Sequence, residues 1–253
     1  DKILTELRSR KELKLDGLSL ALTYEKSHLV RGVTRGDGVI GEDVTTNVRT
    51  IRSVPLSISP AKQKASGLPQ NFEVRGEVVL PLAAFQKLNA EREEQGLAPA
   101  ANPRNAAAGT LRTLEPNIVA QRRLDFYAYF AMDERGYIFS EQSGALDALA
   151  AAGFHVNPKR GIARNIDEAW EFIAQADAMR ESLPYEIDGV VLKVNSTALQ
   201  NRLGFTGRAP RWAVAYKFAA RSAVTQVKNI IVQVGRTGKL TPVAELTPVP
   251  IGG

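Results

Sequence analysis

The amino-acid sequence predicts an α+β fold, in which antiparallel strands form hairpins and separate helices cover them. Two observations lead to this prediction. Segments of alternating apolar and polar residues come in hairpin-like pairs, and helical segments interrupt these pairs without regular βαβ alternation. With 253 residues, 44% of them hydrophobic, the chain can bury a sizeable core in one large domain or slightly more.

In the first half of the chain, a short polar helix is predicted over residues 1–10. Strands follow, and residues 25–28 are predicted to form the turn of a hairpin. A helix starts at Pro81, a residue suited to a first helical turn, and ends at Gly96. The predicted strands of this half cover residues 12–16, 18–24, 29–34 and 71–80.

In the second half, residues 97–109 are rich in Gly, Pro, Ala and Asn, and this composition predicts a loop. One helix is predicted over residues 143–152 and another from Asn165, where Glu168 is placed to complete a capping box. Short alternating runs in residues 223–253 are typical of the first strands of a small β-barrel. The other predicted strands cover residues 124–132, 187–194 and 213–218.

The composition excludes several kinds of site. The chain has no cysteine, so disulfides, cysteine-ligated zinc and a cysteine nucleophile are excluded, and a cytoplasmic protein is expected. Its two histidines, His28 and His155, are far apart among apolar neighbours, which argues against a histidine metal site or a Ser/His triad. No apolar run is long enough to span a membrane. The net charge of +6 favours a polyanionic partner.

The strand over residues 12–16 places a lysine between two carboxylates. By simple alternation Glu12, Lys14 and Asp16 share one face, whereas two leucines share the other. Taken alone, this arrangement is more typical of a solvated strand face than of a functional site. It becomes a candidate site because other strands repeat it.

These further strands also present polar or aromatic side chains on one face. Lys193 shares its face with a glycine and a valine, and Lys217 shares its face with two alanines, so each lysine lies beside space for a flat ligand. Tyr127 and Tyr129 share one face of their strand, where one of them could stack on a base. In the strand over residues 71–80, the aligned charged residues are Glu73, Arg75 and Glu77.

These residue types suit a lysine that attacks phosphorus. A lysine amine has an ordinary pKa of about 10.4, so it is protonated and unreactive at neutral pH. Nearby cations lower that pKa, and Lys193, Lys217 and Arg35 could do so while neutralising phosphate oxygens. Asp16 and Glu77 would balance the charge, contact sugar hydroxyls or hold a divalent metal.

Several motifs resemble those of the NAD-dependent bacterial DNA ligases. The run Lys14-Leu15-Asp16-Gly17 matches the KxDG signature that DNA ligases, RNA ligases and capping enzymes share. More specific motifs follow in the family's order, and VGRTG at 234–238 resembles the start of its OB-fold. They are TRGDG at 34–38, GEDVTTNVRTI at 41–51, EVRGEV at 73–78, ANPRNAAAGTLR at 101–112, IDGVVLKV at 187–194 and AYKF at 215–218.

The resemblance implies a role for each matching residue. Lys14 would carry AMP through a phosphoramidate, with Asp16 as the second catalytic residue, and Tyr129 would stack on adenine. Asp188 belongs to its motif, but simple alternation points it away from Lys193, so only a supporting role is expected unless a bulge intervenes. The implied NAD-adenylate site comprises Glu12, Arg35, Glu77, Tyr129, Lys193 and Lys217, and the arginines implied to contact nicked DNA or the transferring nucleotide are Arg104, Arg112 and Arg180.

The resemblance also implies a fold and a reaction. The fold would be a nucleotidyltransferase (ATP-grasp-like) core over residues 1–221, followed by part of an OB-fold over residues 222–253. Lysine would take AMP from NAD and release nicotinamide mononucleotide (NMN). AMP would then pass to the 5′-phosphate of a nick in double-stranded DNA, and the 3′-hydroxyl would seal the strand. Magnesium or manganese would assist. A cytoplasmic monomer without a membrane partner is expected.

The sequence departs from the family's full pattern. Residues 1–11 lack the Tyr/His/Asp signature of the segment that binds the NMN half of NAD. The zinc finger, helix-hairpin-helix repeats and BRCT module of the family are also missing, so zinc is expected only in a domain absent from this chain. We therefore expect the isolated chain to use NAD poorly and to seal nicks poorly.

Two alternatives stay open at this point. ATP-dependent polynucleotide ligases and capping enzymes share the lysine chemistry, but they usually have two lysines in the last strand motif, where this chain has only Lys217 before Phe218. The second alternative is a basic domain that clamps nucleic acid without catalysis, which the net charge and the arginine-rich loops favour. Loss of Lys14 would abolish adenylation by an enzyme and would hardly affect a clamp.

Overall fold

The structure divides into two compact units, Asp1–Phe218 and Ala219–Gly253. The larger unit contains two main antiparallel sheets with helices packed on them, which confirms the predicted α+β class. Within the described part of the chain, no helix is both long and apolar enough to cross a membrane. This computed structural model describes residues 8–38, 40–207, 209–219 and 223–249.

Four strands form the first sheet: β1 (Ser9–Leu15), β7 (Arg160–Ala163), β8 (Ile187–Val194) and β11 (Ala213–Lys217). Their order across the sheet is β11-β8-β1-β7, and every neighbouring pair is antiparallel. β1 therefore lies inside the sheet, where β8 pairs with it along its whole length and β7 pairs with its first four residues.

Five strands form the second sheet: β2 (Leu18–Glu25), β3 (His28–Thr34), β4 (Phe72–Val79), β5 (Asp125–Asp133) and β6 (Gly136–Tyr137). Their order is β3-β2-β4-β5-β6, again antiparallel throughout. The predicted turn between β2 and β3 is confirmed. Its central residues Lys26 (φ 47°) and Ser27 (φ 64°) both adopt the left-handed region, as a two-residue type I′ turn requires.

The helices lie between the strands in the sequence. A 3₁₀ turn (Arg180–Ser182) and the short pair β9 (Phe205–Thr206) and β10 (Ala209–Pro210) complete the larger unit. The described helices are α1 (Thr45–Val48), α2 (Pro60–Ser66), α3 (Leu82–Glu94), α4 (Pro103–Leu111), α5 (Pro116–Arg122), α6 (Gln142–Ala152), α7 (Ile166–Met179) and α8 (Thr197–Leu203).

The prediction of a loop over residues 97–109 was wrong, the predicted first helix is contradicted at its end, and the predicted capping box was right in part. Residues 1–7 of the predicted first helix lie outside the described residues, but Ser9 and Arg10 belong to β1. The predicted loop 97–109 contains most of α4, because the Asn102 side chain accepts a hydrogen bond from the Asn105 N–H and a proline occupies the first turn. The capping box of α7 is half formed. Asn165 caps the Glu168 N–H, but the Glu168 carboxylate accepts from the Arg164 N–H instead.

Each sheet packs its apolar face into a cluster of buried side chains. The cluster on the second sheet joins it to α4 and α6 and includes Leu22, Val74, Leu111, Phe126 and Leu146. The cluster on the first sheet joins it to α7 and includes Leu13, Phe172, Ile173, Ile187 and Val190. The opposite, polar faces of the strands are therefore left to line the space where the sheets meet.

Only Asp16 and Gly17 separate β1 from β2, so the chain passes from the first sheet to the second within two residues. A side chain on Gly17 would overlap the carbonyl oxygen of Val78 in β4. Glycine is needed at this crossing because the chain runs so close to the neighbouring backbone. The crossing brings the ends of β1 and β4 together.

The smaller unit contains one antiparallel hairpin, β12 (Val227–Val234) and β13 (Leu240–Leu246). Gly238, with φ 80°, lies in the turn, where the Gly238 N–H donates to the Gly235 carbonyl. The alternating runs of the C-terminal segment thus form strands, as predicted.

The packing of β4 against β5 gives a testable prediction about stability. A Cβ on Gly76 would overlap the ring of Phe126 and crowd the carbonyl oxygen of Tyr127, and both neighbours are held inside the second sheet. We expect Gly76→Ala to lower the free energy of unfolding by about 1–3 kcal/mol, the usual cost of overpacking. Urea denaturation followed by circular dichroism measures this change.

Gly109→Ala is the matched control, because a Cβ at this position in α4 would meet no atom within 4 Å. We expect that variant to keep or raise the free energy of unfolding, by up to about 1 kcal/mol. Equal unfolding midpoints for the two variants would contradict the prediction.

Candidate active site

A cleft of about 530 Å³ is lined by residues from both main sheets and from the loops beside them. Most of the site residues predicted from the sequence lie on its wall. Those that line it are Glu12, Lys14, Arg35, Glu77, Arg104, Arg112, Tyr129 and Lys193. The structure therefore brings together residues that are up to 181 positions apart in the sequence, from Glu12 to Lys193.

Lys14 lies near the end of β1, where the two sheets converge. Its Nζ donates to both carboxylate oxygens of Asp188, at 2.8 Å each. Both side chains are about three quarters buried, with 27% and 23% exposed. The ammonium group is thus held by a bidentate contact inside the cleft rather than by solvent.

Asp188 reaches Lys14 because β8 contains a bulge. In the register of β1 and β8, Lys14 pairs with Gly189 and Leu15 pairs with Ile187, so Asp188 is the extra residue. Simple alternation had directed this side chain away from the site, and the bulge corrects that expectation. The sequence signal for the bulge was Gly189, because a glycine inside a strand often marks a bulge or a close backbone approach. In the structure, a side chain on Gly189 would overlap the carbonyl oxygen of Tyr216.

The other end of the cleft contains a second ion pair. Lys193 of β8 contacts Glu12 of β1, and both side chains are about nine-tenths buried. The same ammonium lies over the ring of Tyr129, 5.1 Å from its centroid. An acid, a cation and an aromatic face are therefore grouped in a nearly dry part of the cleft.

Glu77 and Tyr129 are connected through Ser19, a residue that the sequence did not single out. The Ser19 hydroxyl donates to Glu77 Oε2 at 2.9 Å and lies 3.2 Å from the Tyr129 hydroxyl oxygen. Burial raises the pKa of Glu77 to about 7, although the Ser19 hydrogen bond and the positive charges of Lys14 and Arg104 act in the opposite direction. Burial also raises the pKa of Tyr129.

The rim of the cleft carries Arg35, Arg104 and Arg112, and the last two are paired with acids. Arg104 Nη1 contacts Asp16 Oδ1 at 3.0 Å, and Arg112 Nε contacts Glu42 Oε2 at 2.6 Å. Arg35 follows β3, and its backbone N–H donates to the Ser19 carbonyl at 3.1 Å. Each arginine is positioned by backbone or side-chain contacts, while its cation stays near the opening.

Three predicted residues do not line the cleft: Asp16, Lys217 and Arg180. Lys217 is 72% exposed, and its Nζ is 4.0 Å from Asp188 Oδ2, so it approaches the site from outside. Arg180 stacks on the ring of Phe218, 5.6 Å from its centroid, and it does not line the cleft. Two residues that no sequence motif marked also line the cleft: Asn157, just before β7, and Arg160, the first residue of β7.

The cleft offers no ready-made metal site. In the described ranges, no group of three or more His, Asp or Glu side chains is placed to hold a metal ion. The carboxylates nearest to Lys14 are each engaged with a cation, Asp188 with Lys14 and Asp16 with Arg104.

Two family models match nearly the whole chain. The NAD-dependent DNA ligase adenylation domain matches residues 3–221, and the NAD-dependent DNA ligase OB-fold domain matches residues 224–253. These matches confirm the expected nucleotidyltransferase core and OB-fold. Among solved structures, Pmar-Lig_Pre is similar with a TM-score of 0.50 at 11% identity, over 96% of this chain and 53% of that one, and this similarity concerns the fold alone.

The chain is also similar to curated proteins named DNA ligase. The one from Acidobacterium capsulatum is 71% identical over 243 residues, which are 96% of this chain and 36% of that protein. The one from Koribacter versatilis is 62% identical over 248 residues, which are 98% of this chain and 37% of that protein. The chain thus spans little more than a third of the length of these relatives.

The raised pKa of Glu77 predicts a pH-dependent stability. Between about pH 4.5 and about pH 7 the unfolded carboxyl loses its proton while the folded one retains it, so the folded state loses stability across this range. Glu77→Gln removes this cost. We expect the variant to be more stable than the wild type by about 1–3 kcal/mol at about pH 8, and equally stable at about pH 4.

Urea denaturation at the two pH values measures the difference. Glu73→Gln is the control on the same strand, because Glu73 is partly exposed beside Arg75 and its pairing contributes little. A Glu77→Gln variant with the same advantage over the wild type at both pH values would rule out the titration as its cause.

Proposed function

Because this chain belongs to the NAD-dependent DNA ligase adenylation-domain family, we propose that Lys14 takes AMP from NAD and passes it to a DNA nick. The single observation that carries the proposal is the position of Lys14. This lysine lies inside a cleft of about 530 Å³ that presents an aromatic ring and buried acids at one end and cations at its rim. A nucleotide needs these groups, since its base is flat and its phosphates are anionic.

The two ends of the cleft suggest how a nucleotide lies in it. Glu12 and Lys14 are two residues apart on β1, which corresponds to about 7 Å along a strand. That distance suits a nucleoside whose base lies beside Glu12, Lys193 and Tyr129 and whose α-phosphate lies beside Lys14. Glu77 then accepts a hydrogen bond from a ribose hydroxyl between the two.

The proposed chemistry begins at Lys14 Nζ. The amine loses a proton along its contact with Asp188 and forms a P–N bond with the α-phosphorus of NAD. The bond from that phosphorus to the bridging oxygen breaks, and NMN leaves. A 5′-phosphate oxygen at the nick then displaces Lys14 from the phosphorus. Finally the 3′-hydroxyl attacks the activated 5′-phosphate, so the strand is sealed and AMP is released.

Magnesium or manganese fits this site as a shared ion. Magnesium is commonly held by one or two carboxylates together with substrate phosphates, so the lack of a three-carboxylate cluster among the described residues is compatible with it. Asp188 is the carboxylate in reach of the α-phosphate position, and it would hold the ion. When bound, the ion offsets the charge that develops on the phosphate.

The remaining roles follow from the family and from the charge of the chain. Residues 1–221 form the adenylation domain, and residues 222–253 begin an OB-fold. Arg35 and Lys217 neutralise phosphate oxygens, and Arg104, Arg112 and Arg180 contact the nicked DNA. The net charge of +6 suits this partner. The protein acts in the cytoplasm as a monomer, which size-exclusion chromatography with light scattering would test.

The first test is the covalent adduct. Because the isolated chain is expected to use NAD poorly, the incubation with NAD and magnesium is prolonged. We then expect intact-mass spectrometry to show a gain of one adenylate, and peptide mapping to place it on Lys14. Lys14→Ala should lose the adduct completely, since no other described lysine lines the cleft except the ion-paired Lys193.

Lys11→Ala is the matched control for this experiment. Lys11 is on the same strand, but its Nζ donates to the Glu168 carbonyl and lies over Phe172, on the other side of the sheet. The control should form the adduct as the wild type does. An adduct on any residue other than Lys14 would refute the central assignment.

The second test separates NAD from ATP as the AMP donor. With each donor labelled in the adenylate and supplied alone, we expect label on the protein from NAD and at least tenfold less from ATP. The reason is the family match, because both matched models describe domains of NAD-dependent DNA ligases. Equal labelling by both donors would contradict the proposed donor, although it would leave the role of Lys14 intact.

A further inference from the structure

We propose that Ser19 is a positioning residue that keeps Glu77 available as a hydrogen-bond acceptor for the ribose and fixes Tyr129 beside the base. This inference rests on the proposed function, since it assumes that a nucleoside occupies the cleft. It adds a residue and a pH dependence that neither the motifs nor the comparisons assign.

The backbone fixes the three side chains relative to one another. Ser19 of β2 and Glu77 of β4 are directly opposite each other in the strand register, and Glu77 in turn pairs with Tyr127 of β5, two residues before Tyr129. The Ser19 hydroxyl bridges its two neighbours at 2.9 Å and 3.2 Å. Three adjacent strands therefore hold one chain of hydrogen bonds in the wall of the cleft.

The number of available protons fixes which group donates and which accepts in this series of hydrogen bonds. A serine hydroxyl has one proton, and here Ser19 donates it to Glu77 Oε2. The Tyr129 hydroxyl must then donate to Ser19, because Ser19 has no second proton to offer. An ionised Glu77 carboxylate favours this direction, because both of its oxygens then act only as acceptors. When Glu77 is protonated, its proton competes for Ser19 and it becomes a poorer acceptor for a ribose hydroxyl.

Several other charged and titratable groups face the hydrogen-bonded side chains of Ser19, Glu77 and Tyr129. Lys14 on β1 and Arg104 on α4 favour the ionised carboxylate of Glu77, whereas Asp16 disfavours it. Tyr129 is approached by Arg35 and Arg75, and Lys193 lies over its ring. Tyr127 is the opposing residue on β5. The nearby cations together with the Ser19 hydroxyl oppose the effect of burial, which raises the pKa of Glu77 to about 7.

Loss of the Ser19 hydroxyl should therefore shift the pH range in which the cleft binds a nucleoside. Without the Ser19 donor, the ionised carboxylate loses a charge-assisted hydrogen bond, so the pKa of Glu77 rises further. If that rise is about one unit, the ionised fraction at pH 7 falls about fivefold, while at pH 9 it stays nearly complete. Nucleoside binding should follow the ionised fraction.

The test uses adenosine as the probe, because it has no group that titrates between about pH 6 and about pH 9. Its dissociation constant is measured by ligand-observed NMR across this range for the wild type, Ser19→Ala and Ser19→Thr. We expect Ser19→Ala to bind about fivefold more weakly at pH 7 and within twofold of the wild type at pH 9. Ser19→Thr retains the hydroxyl and should follow the wild-type profile.

A direct titration accompanies the binding measurement. With ¹³C-labelled glutamate carboxyl groups, the Glu77 resonance is assigned by its loss in Glu77→Gln, and its midpoint should move to higher pH in Ser19→Ala. Tyr129→Phe keeps the ring but removes the distal donor, so it should move the midpoint in the same direction by a smaller amount. This variant carries the test if circular dichroism shows that Ser19→Ala is misfolded.

The outcomes that would overturn the proposal are distinct from a failure of adenylation. Equal weakening of adenosine binding at every pH would show that Ser19 only supports the local structure. An unchanged Glu77 midpoint in both variants, or no adenosine binding at any pH, would also refute the proposal. None of these measurements needs the Lys14 adduct, so an alkaline shift without adduct formation would refute the proposed transfer and support the role of Ser19.

Discussion

The two-residue connection between β1 and β2 is the constraint on which the site depends. A chain that changes sheets within Asp16 and Gly17 cannot leave room for a layer of side chains between the strand ends. The polar faces of the two sheets must therefore meet close to Lys14, and the apolar faces turn outward to the helices. The cleft follows from this connection rather than from a separate binding loop. Gly17 makes the close approach to Val78 sterically possible.

Charge balance is the second property that holds the cleft together. Three cations in the cleft each contact an acid from another element, so their charges are compensated. Burying such pairs costs desolvation energy, so they fix the positions of the side chains more than they stabilise the fold. A bound nucleotide would exchange some of these contacts for its own phosphate and hydroxyl groups. The pairs are Lys14 with Asp188, Lys193 with Glu12 and Arg104 with Asp16.

Strand alternation was enough to predict the facing of Glu12, Lys14, Glu77 and Lys193, and it also gave that of Tyr129, although Tyr129 is the extra residue of a bulge in β5. It failed at Asp188, since a bulge changes the facing of a side chain without any change in composition. It also gave no reason to select Ser19, a small residue whose importance comes from its two partners. The helix α4 was missed because proline and asparagine at its start were interpreted as loop signals, although both are common at helix N-termini.

The bidentate contact between Lys14 and Asp188 has a consequence for the reactivity of the Lys14 amine toward electrophiles. Aldehydes, acyl phosphates and thioesters modify lysines through the lone pair of a neutral amine. A lysine engaged as an ammonium by two carboxylate oxygens has no lone pair to offer. The contact with Asp188 therefore lowers the reactivity of Lys14 toward such compounds. Under the proposed function, Lys14 becomes reactive when a bound ligand rearranges the Asp188 carboxylate.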